Sequence, residues 1–593
     1  MVDFTGKRVV FTSIFAALFL LLVVMLFRLQ VYHQQQYLRH SEKNRIRRLI
    51  LPPDRGLIYD RQQVVLVDNS PAYSLYATPF ECLQNDTILV KLSEILGTGT
   101  DSLAAELRRA DSPFTAVRLR RNLDYSALVQ IEEWKLALPG VFYEVEPMRI
   151  YPSPVQASHL FGYLGEVARA ELKSDKYAGL RAGDMIGKTG LEKTYDRRLR
   201  GQIGYDYIEV DAFGHEVRNI EMEGEVDKVR GEDLFLSLDE RLQELAEELF
   251  AEKKGGLVLI DTRNGEILAL CSKPDYNPNL FSGGIKMAEW RRLITDETHP
   301  LYDRMVKSTY APGSTYKIVL AAAALENGII RPNSKVHCPG YFVYGMRSFG
   351  CWKEGGHGTL DLGGAIRESC NTYFYTLSTR VDVDQWADFS RRFGFGQATG
   401  IDVPGEAAGL TPDREYLDKT YRKGGWTRGM MLNLGIGQGD LLTTPLQMAQ
   451  FAMILGNRGV YYQPHLLRAV YQPGRGDTLW IAPVRKNVVG MSPQNLEFLA
   501  AAMCEVVNEA GGTGMAASVP GVLVAGKTGT AQNPHGDTHA WFIGFAPFES
   551  AQVAICVFVE NGGSGGGVAA PLAGTMLKRY FQLYPADAAR EKR

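Results

Sequence analysis

From Val9 to Phe27 the chain runs nineteen residues without a charge and is rich in Leu, Phe and Val. That length suits one helix crossing the hydrocarbon core of a bilayer. No small-residue cleavage pattern follows, since Arg28-Leu29-Gln30-Val31-Tyr32-His33-Gln34 is bulky and polar. The segment therefore reads as an uncleaved anchor and not as a signal peptide. No later apolar run reaches spanning length. After the anchor, Gln34 to Arg48 is polar and predicts a stalk helix, which Leu51-Pro52-Pro53 breaks. Residues 73–150 mix short strand patterns with polar helices such as Asp101 to Ala110, and His159 to Gly165 reads as a packed, strand-like segment in which His159 is structural.

The pattern changes near residue 230. Two apolar runs, Gly256 to Asp261 and Glu266 to Leu270, flank Thr262-Arg263-Asn264-Gly265, and Asn-Gly between such runs predicts a β-hairpin. Val522 to Ala525, Ala540 to Phe545 and Val553 to Val559 predict three more strands. Helical patterns lie between: the Ala-rich run Ile318 to Leu325, stopped by Asn327-Gly328, and Thr444 to Leu455. Strands at both ends with helices between them predict an antiparallel sheet covered by helices. Ala586 to Arg593 is small and charged and reads as a disordered tail.

At 593 residues the chain holds more than one domain. A net charge of −2 and a pI near 6.6 give no basic surface for nucleic acid. The chemistry sits in three places. Ser314-Thr315-Tyr316-Lys317 follows the breaker pair Pro312-Gly313 and opens the Ala-rich helix. Residues three apart share a helix face, so an amine at Lys317 lies beside a hydroxyl at Ser314. The helix N-terminus offers unpaired N–H groups to a developing oxyanion. A lysine deprotonates a serine only if burial lowers its pKa. Ser369-Cys370-Asn371 lies 55 residues further on, and Lys527-Thr528-Gly529-Thr530 follows the apolar run Val522 to Gly526. The order S-x-x-K, S-x-N, K-T-G is the signature of penicillin-recognising serine acyltransferases. Ser369 and Asn371 can relay a proton and hold a substrate amide. Lys527, Thr528 and Thr530 can bind a terminal carboxylate, and Gly529 lets a peptide lie against the strand edge. Two look-alikes are set aside. Lys188-Thr189-Gly190 has no strand ahead of it and reads as a turn opening a helix. Gly435-Ile436-Gly437-Gln438-Gly439 lacks the spacing and the βαβ context of a nucleotide loop and reads as a tight loop near the active site.

Together these residues resemble the class B penicillin-binding proteins, across nearly the whole chain. Arg55-Gly56-Leu57-Ile58-Tyr59-Asp60-Arg61 resembles their R-G-x-I-x-D-R segment, and Gly187 to Tyr195 their G-x-x-G-L-E-x-x-Y segment. Asp303-Arg304, Gly437-Gln438-Gly439 and Thr444 to Gln447 are similar too. His357-Gly358 followed by Ser369 to Tyr375 is most similar to the elongation-specific type, with the division-specific type as the alternative. The resemblance implies a multidomain chain: a cytoplasmic tail 1–8, an anchor 9–28, an elongated α+β pedestal 29–229, a serine β-lactamase-like transpeptidase domain 230–585, and the tail 586–593. It implies a D,D-transpeptidase that needs no catalytic cofactor, cross-links peptidoglycan stem peptides through a Ser314 acyl-enzyme with Lys317 as base, and is trapped by β-lactams. Backbone N–H groups of Ser314 and Thr530 would form the oxyanion hole. It also implies an extracytoplasmic catalytic domain, although Lys7 and Arg8 before the span are outnumbered by Arg28, Arg39, Lys43, Arg45, Arg47 and Arg48 after it. Its partners would be a SEDS-family glycosyltransferase and rod-complex proteins. Competing readings are a D,D-carboxypeptidase or β-lactamase, for which no E-x-x-L-N element is present, and a β-lactam sensor or wall scaffold.

Seven cysteines at wide spacing do not make a disulfide framework. Cys338, Cys351, His357 and Cys370 fall within 33 residues and form a Cys3His set suited to structural zinc. A Cys338–Cys351 disulfide or unrelated buried thiols are the alternatives. Some elongation-type members are similar here in holding a zinc.

Overall fold

A computed structural model describes residues 4–32, 46–110, 112–180, 183–210, 216–220, 225–422, 424–534 and 536–586. The predicted stalk lies largely outside these residues, as do tail positions 587–593. Where the stalk segment re-enters, it is not helical: Ile46–Leu51 is a strand paired antiparallel with Gly204–Val210. Its Ile and Leu residues suit a pleated ladder, and tertiary pairing outweighs the polar-helix reading at Ile46 to Arg48.

The chain divides into two compact units, 1–54 with 71–146 and 201–230, and 55–70 with 147–200 and 231–593. The residues expected to form one pedestal are thus shared between them. In the first unit, helix Phe4–Phe27 belongs to the stretch Arg8–Val31, the only one among the described residues long and apolar enough to cross a membrane. Elsewhere in this unit, helices Asp86–Leu96, Thr100–Leu107 and Tyr125–Glu133 enclose a small α+β core that includes Leu75, Leu92, Leu107 and Ile131.

The second unit is built on five antiparallel strands: β1 (Gly255–Asp261), β2 (Ile267–Lys273), β3 (Ala525–Ala531), β4 (His539–Ala546) and β5 (Val553–Val559), in the order β2-β1-β5-β4-β3. The predicted hairpin joins β1 to β2, with Gly265 at φ +84° in its turn. Every residue of β1 and of β5 is buried, which explains their unbroken apolar runs. Side chains alternate between faces. Leu257 and Leu259 meet helices α1 (Glu240–Leu249) and α5 (Ala570–Leu583), while Val258 and Ile260 meet α2 (Lys317–Glu326) and α4 (Pro445–Gly456). The latter two helices are buried almost all round inside the helical layer, which is why they are apolar apart from Lys317, Glu326, Gln447 and Gln450. α4 starts where Thr444 and Gln447 form a capping box.

Two sequence expectations shift and one holds. The K-T-G residues lie inside β3 and not beyond its end; Ala525–Ala531 pairs in full register with β4, for example Thr528 with Phe542. Lys and Gly have weak strand preference alone, and sheet pairing supplies what propensity lacks. His159 to Phe161 is part of a helical turn, Ser158–Phe161, with strand Leu164–Glu166 after it. The strand-like reading fails because a four-residue apolar run does not distinguish the two. Gly190–Thr194 is the helix predicted after Lys188-Thr189.

The segments 55–70 and 147–200 join the second unit through strands and charge. Ile58–Tyr59 runs parallel to Asp233–Leu236, which pairs antiparallel with Leu467–Gln472. Glu192, fully buried, accepts from Arg55 Nε at 2.7 Å and Arg149 Nε at 2.7 Å, and Arg55 also reaches Asp196 at 2.9 Å. This is what the two motif segments around Arg55 and Glu192 do: each carries half of one buried ion network.

Candidate active site

Ser314 stands on a tight turn, Gly313–Tyr316, that leads into α2. The turn is pinned on two sides. Gly313, at φ +58°, donates its N–H to Gly437 O at 2.8 Å, so the Gly437-Gln438-Gly439 loop closes on the nucleophile as expected of a tight loop near the site. A Cβ at Gly529 would lie 2.9 Å from Pro312 O and 2.9 Å from Thr315 Cγ2. Only glycine lets β3 approach the turn this closely.

One turn on, Lys317 is fully buried at the start of α2. Its Nζ donates to Ser369 O at 2.8 Å and Asn371 Oδ1 at 2.7 Å, and lies 3.4 Å from Ser369 Oγ. Burial lowers its pKa to about 8, against a weaker opposing pull from the thiols of Cys370 and Cys351. Lys527 on β3, also fully buried, donates to Ser369 Oγ and to Thr528 O, each at 3.0 Å. Burial first, and then the nearby Lys317, push its pKa well below the usual lysine value. Ser369 is held at φ +53°, an uncommon backbone state for a side-chain-bearing residue. It sits at the end of the helical segment before α3 (Asn371–Ser378), which carries Asn371 in its first turn. Ser314 Oγ has no hydrogen bond among the described residues. Ser369 Oγ is the hub, within reach of both lysine amines.

The Lys527–Thr530 side of the groove is also assembled from separate segments. Thr528 Oγ1 lies 2.7 Å from Thr513 Oγ1, and Thr530 Oγ1 accepts from Gly565 N at 3.2 Å. With its oxygen accepting from the backbone, the Thr530 hydroxyl proton is free to donate to a ligand. The sequence gives no local signal for Thr513 or Gly565. A further anchor precedes the nucleophile: Tyr310 donates its hydroxyl to Glu560, which also pairs with Arg304 at 3.2 Å.

The predicted Cys/His set comes together next to this hub. One ligand atom each from Cys338, Cys351, His357 and Cys370 lie within 4.8 Å of one another. His357 Nδ1 is 3.5 Å from both Cys338 Sγ and Cys351 Sγ. All seven cysteines are free, so no Cys338–Cys351 disulfide is present. Hydrogen bonding between Cys370 and Cys351 pulls the Cys351 thiol pKa down and pushes that of Cys370 up. Strand pair Tyr341–Tyr344 and Arg347–Gly350 forms a hairpin between Cys338 and Cys351, and its Gly350 O accepts from Asn371 Nδ2 at 3.4 Å.

A buried lysine–serine–asparagine–lysine cluster beside a serine turn and an antiparallel edge strand defines a serine acyltransferase of the penicillin-recognising class. Comparison with known proteins is more specific. The model of the penicillin-binding protein transpeptidase domain matches residues 255–578, and that of the penicillin-binding protein dimerisation domain matches residues 50–236. The chain belongs to the penicillin-binding protein transpeptidase family. It is 37% identical over 592 residues to the peptidoglycan D,D-transpeptidase MrdA of Acinetobacter baumannii, covering 95% of this chain and 86% of that one. Its structure is similar to the penicillin-binding protein PBP2 of Helicobacter pylori solved in complex with MreC (TM-score 0.80, 30% identity, 91% of this chain and 100% of that one). It is also similar to a chain of a peptidoglycan synthase complex solved to show how polymerization and crosslinking are coordinated (TM-score 0.72, 27% identity, 98% and 99%).

Proposed function

We propose that this protein is a peptidoglycan D,D-transpeptidase of the elongation type that cross-links stem peptides and is a target of β-lactams. The observation that carries the reading is the meeting of three distant segments at Ser369 Oγ, which lies within reach of Lys317 and Lys527 while Lys317 also holds Asn371. Lys317, with its pKa lowered to about 8 by burial, takes the Ser314 hydroxyl proton as Oγ attacks the penultimate D-Ala carbonyl carbon of a donor pentapeptide. The oxyanion forms against the backbone N–H groups of Ser314 and Thr530. Ser369 passes a proton to the amide nitrogen as its bond to carbon breaks, and D-Ala leaves. An amine from a neighbouring stem then attacks the acyl-enzyme and restores the Ser314 hydroxyl. Asn371 holds the donor amide. Lys527, Thr528 and Thr530 bind the terminal carboxylate, with Gly529 leaving room at the strand edge. A β-lactam follows the same first step and stays attached.

Elongation over division is supported by the likeness to MrdA and PBP2. Helix Phe4–Phe27 is the anchor. The catalytic unit faces the extracytoplasmic side, where the polymer is, and acts with a SEDS-family polymerase and rod-complex proteins. Likenesses to a PBP2 solved with MreC and to a peptidoglycan synthase complex support those partners. Cys338, Cys351, His357 and Cys370 would hold a structural zinc. The donor set fits such an ion: Cys3His is a recurrent structural zinc set, one ligand atom from each residue lies within 4.8 Å of the others, and both His357–cysteine separations are 3.5 Å. Bound there, zinc would supply no catalytic step; Cys370, and so the flanking Ser369 and Asn371, would be tied through it to the hairpin base.

Reconstitution with a SEDS polymerase and lipid II tests the activity. Cross-linked glycan and free D-Ala are expected with wild type and absent with Ser314→Ala. Free D-Ala without cross-links would favour the carboxypeptidase reading, and neither product would overturn both.

A further inference from the structure

Away from the catalytic groove, the second unit contains a polar cavity of about 450 Å³ between the loop 394–399, α4 and strand Arg485–Val488. That volume suits a ligand of monosaccharide size. Gln450 is the first sign that the cavity has an occupant. It sits on α4 and is 2% exposed, and unlike Gln447, the other buried amide of this helix, whose oxygen accepts from Thr444 N, its Oε1 has no hydrogen-bond partner. A buried amide oxygen without a partner is unfavourable unless a ligand or water supplies the donor. The second sign is charge. Arg485 and Lys486 line the same cavity, and neither forms an ion pair among the described residues. Lys486 Nζ has only a long contact to Thr399 O, 3.4 Å. The carboxylate bonded to the end of this loop, Glu406, is committed to the backbone, accepting the N–H groups of Thr399 at 2.7 Å and Gly400 at 2.9 Å. The cavity therefore pairs two uncompensated cations with an unmet acceptor, and buried Tyr461 adds a hydroxyl-bearing wall.

We propose that this cavity is a binding site for a small anionic ligand that also carries hydrogen-bond donors, such as a sugar acid or sugar phosphate. Arg485 and Lys486 hold the carboxylate or phosphate, the guanidinium by its two parallel N–H groups. Gln450 Oε1 accepts from a ligand hydroxyl or amide N–H. Catalysis does not require the site, since none of its residues touches the Ser314 cluster.

The test is isothermal titration calorimetry on full-length protein in detergent, with Ser314 first acylated by penicillin so that carboxylates cannot use the catalytic groove. The probes are N-acetylmuramic acid, N-acetylglucosamine 1-phosphate and neutral N-acetylglucosamine. At least one charged probe is expected to bind one to one, with an affinity at least about tenfold above the neutral sugar. Which charged probe binds distinguishes a carboxylate from a phosphate source. Arg485→Ala/Lys486→Ala should weaken that binding at least about tenfold while penicillin still labels the variant at the wild-type rate, which shows that it folds. No binding by either charged probe at about 10 mM, equal binding of the neutral sugar, or unchanged affinity in the double variant would overturn the proposal.

Discussion

Lys317 offers a prediction that can be worked through in numbers. Its amine acts as base only when unprotonated, and burial places its pKa at about 8. The free-amine fraction is then about 9% at pH 7 and about 91% at pH 9. Acylation by a β-lactam should rise about tenfold over that interval and level off. An unperturbed lysine, near 10.4, would give about a hundredfold rise with no plateau by pH 9. The sign follows from the group: lowering pH protonates the amine and removes the base, so activity is lost on the acid side. The assay is the second-order rate constant for labelling by a fluorescent penicillin, measured from pH 6 to 10 at fixed ionic strength. Lys317→Arg keeps a cation that cannot deprotonate and should lower the rate by at least about 100-fold. A flat profile, or a hundredfold rise still climbing at pH 9, would refute the claim that burial prepares Lys317 as the base.

Gly529→Ala places a methyl group 2.9 Å from Pro312 O, so strand and nucleophile turn must part; penicillin labelling should slow at least about tenfold, with a stability loss of about 1–3 kcal/mol by denaturant titration. Glu192→Gln leaves Arg55 and Arg149 buried against a neutral side chain and should cost about 3–5 kcal/mol in the same titration. Purified protein should contain about one equivalent of zinc, and Cys351→Ser should lose it while slowing acylation through Ser369 and Asn371; less than about a tenth of an equivalent in wild type would remove the zinc assignment.

The side chains of the candidate site were legible because each lies in a short local pattern that the proposed chemistry demands: hydroxyl and amine three apart at a helix start, Ser and Asn flanking one residue, Lys and Thr around a glycine. The sheet was legible where burial on both faces leaves an unbroken apolar run, as in β1 and β5. What escaped depends on contacts between distant segments. Lys527 to Thr530 form a strand only because β4 pairs with them, and Thr513 and Gly565 join the groove through residues 15 and 35 positions away. Nothing in the sequence showed that Ile58 pairs beside Leu234 across the expected boundary near residue 230, or that Arg55 and Glu192, both in the expected pedestal, share one ion network across 137 residues. No local pattern carries such pairings.

Mapping the penicillin adduct tests the central claim most directly. After labelling and trypsin digestion, the peptide spanning residues 308–317 holds Ser308, Thr309, Tyr310, Ser314, Thr315 and Tyr316 as competing hydroxyls. Fragmentation should place the whole label on Ser314, with none recovered from Ser314→Ala. Label on another hydroxyl of that peptide, or persisting at wild-type yield in the variant, would contradict the account.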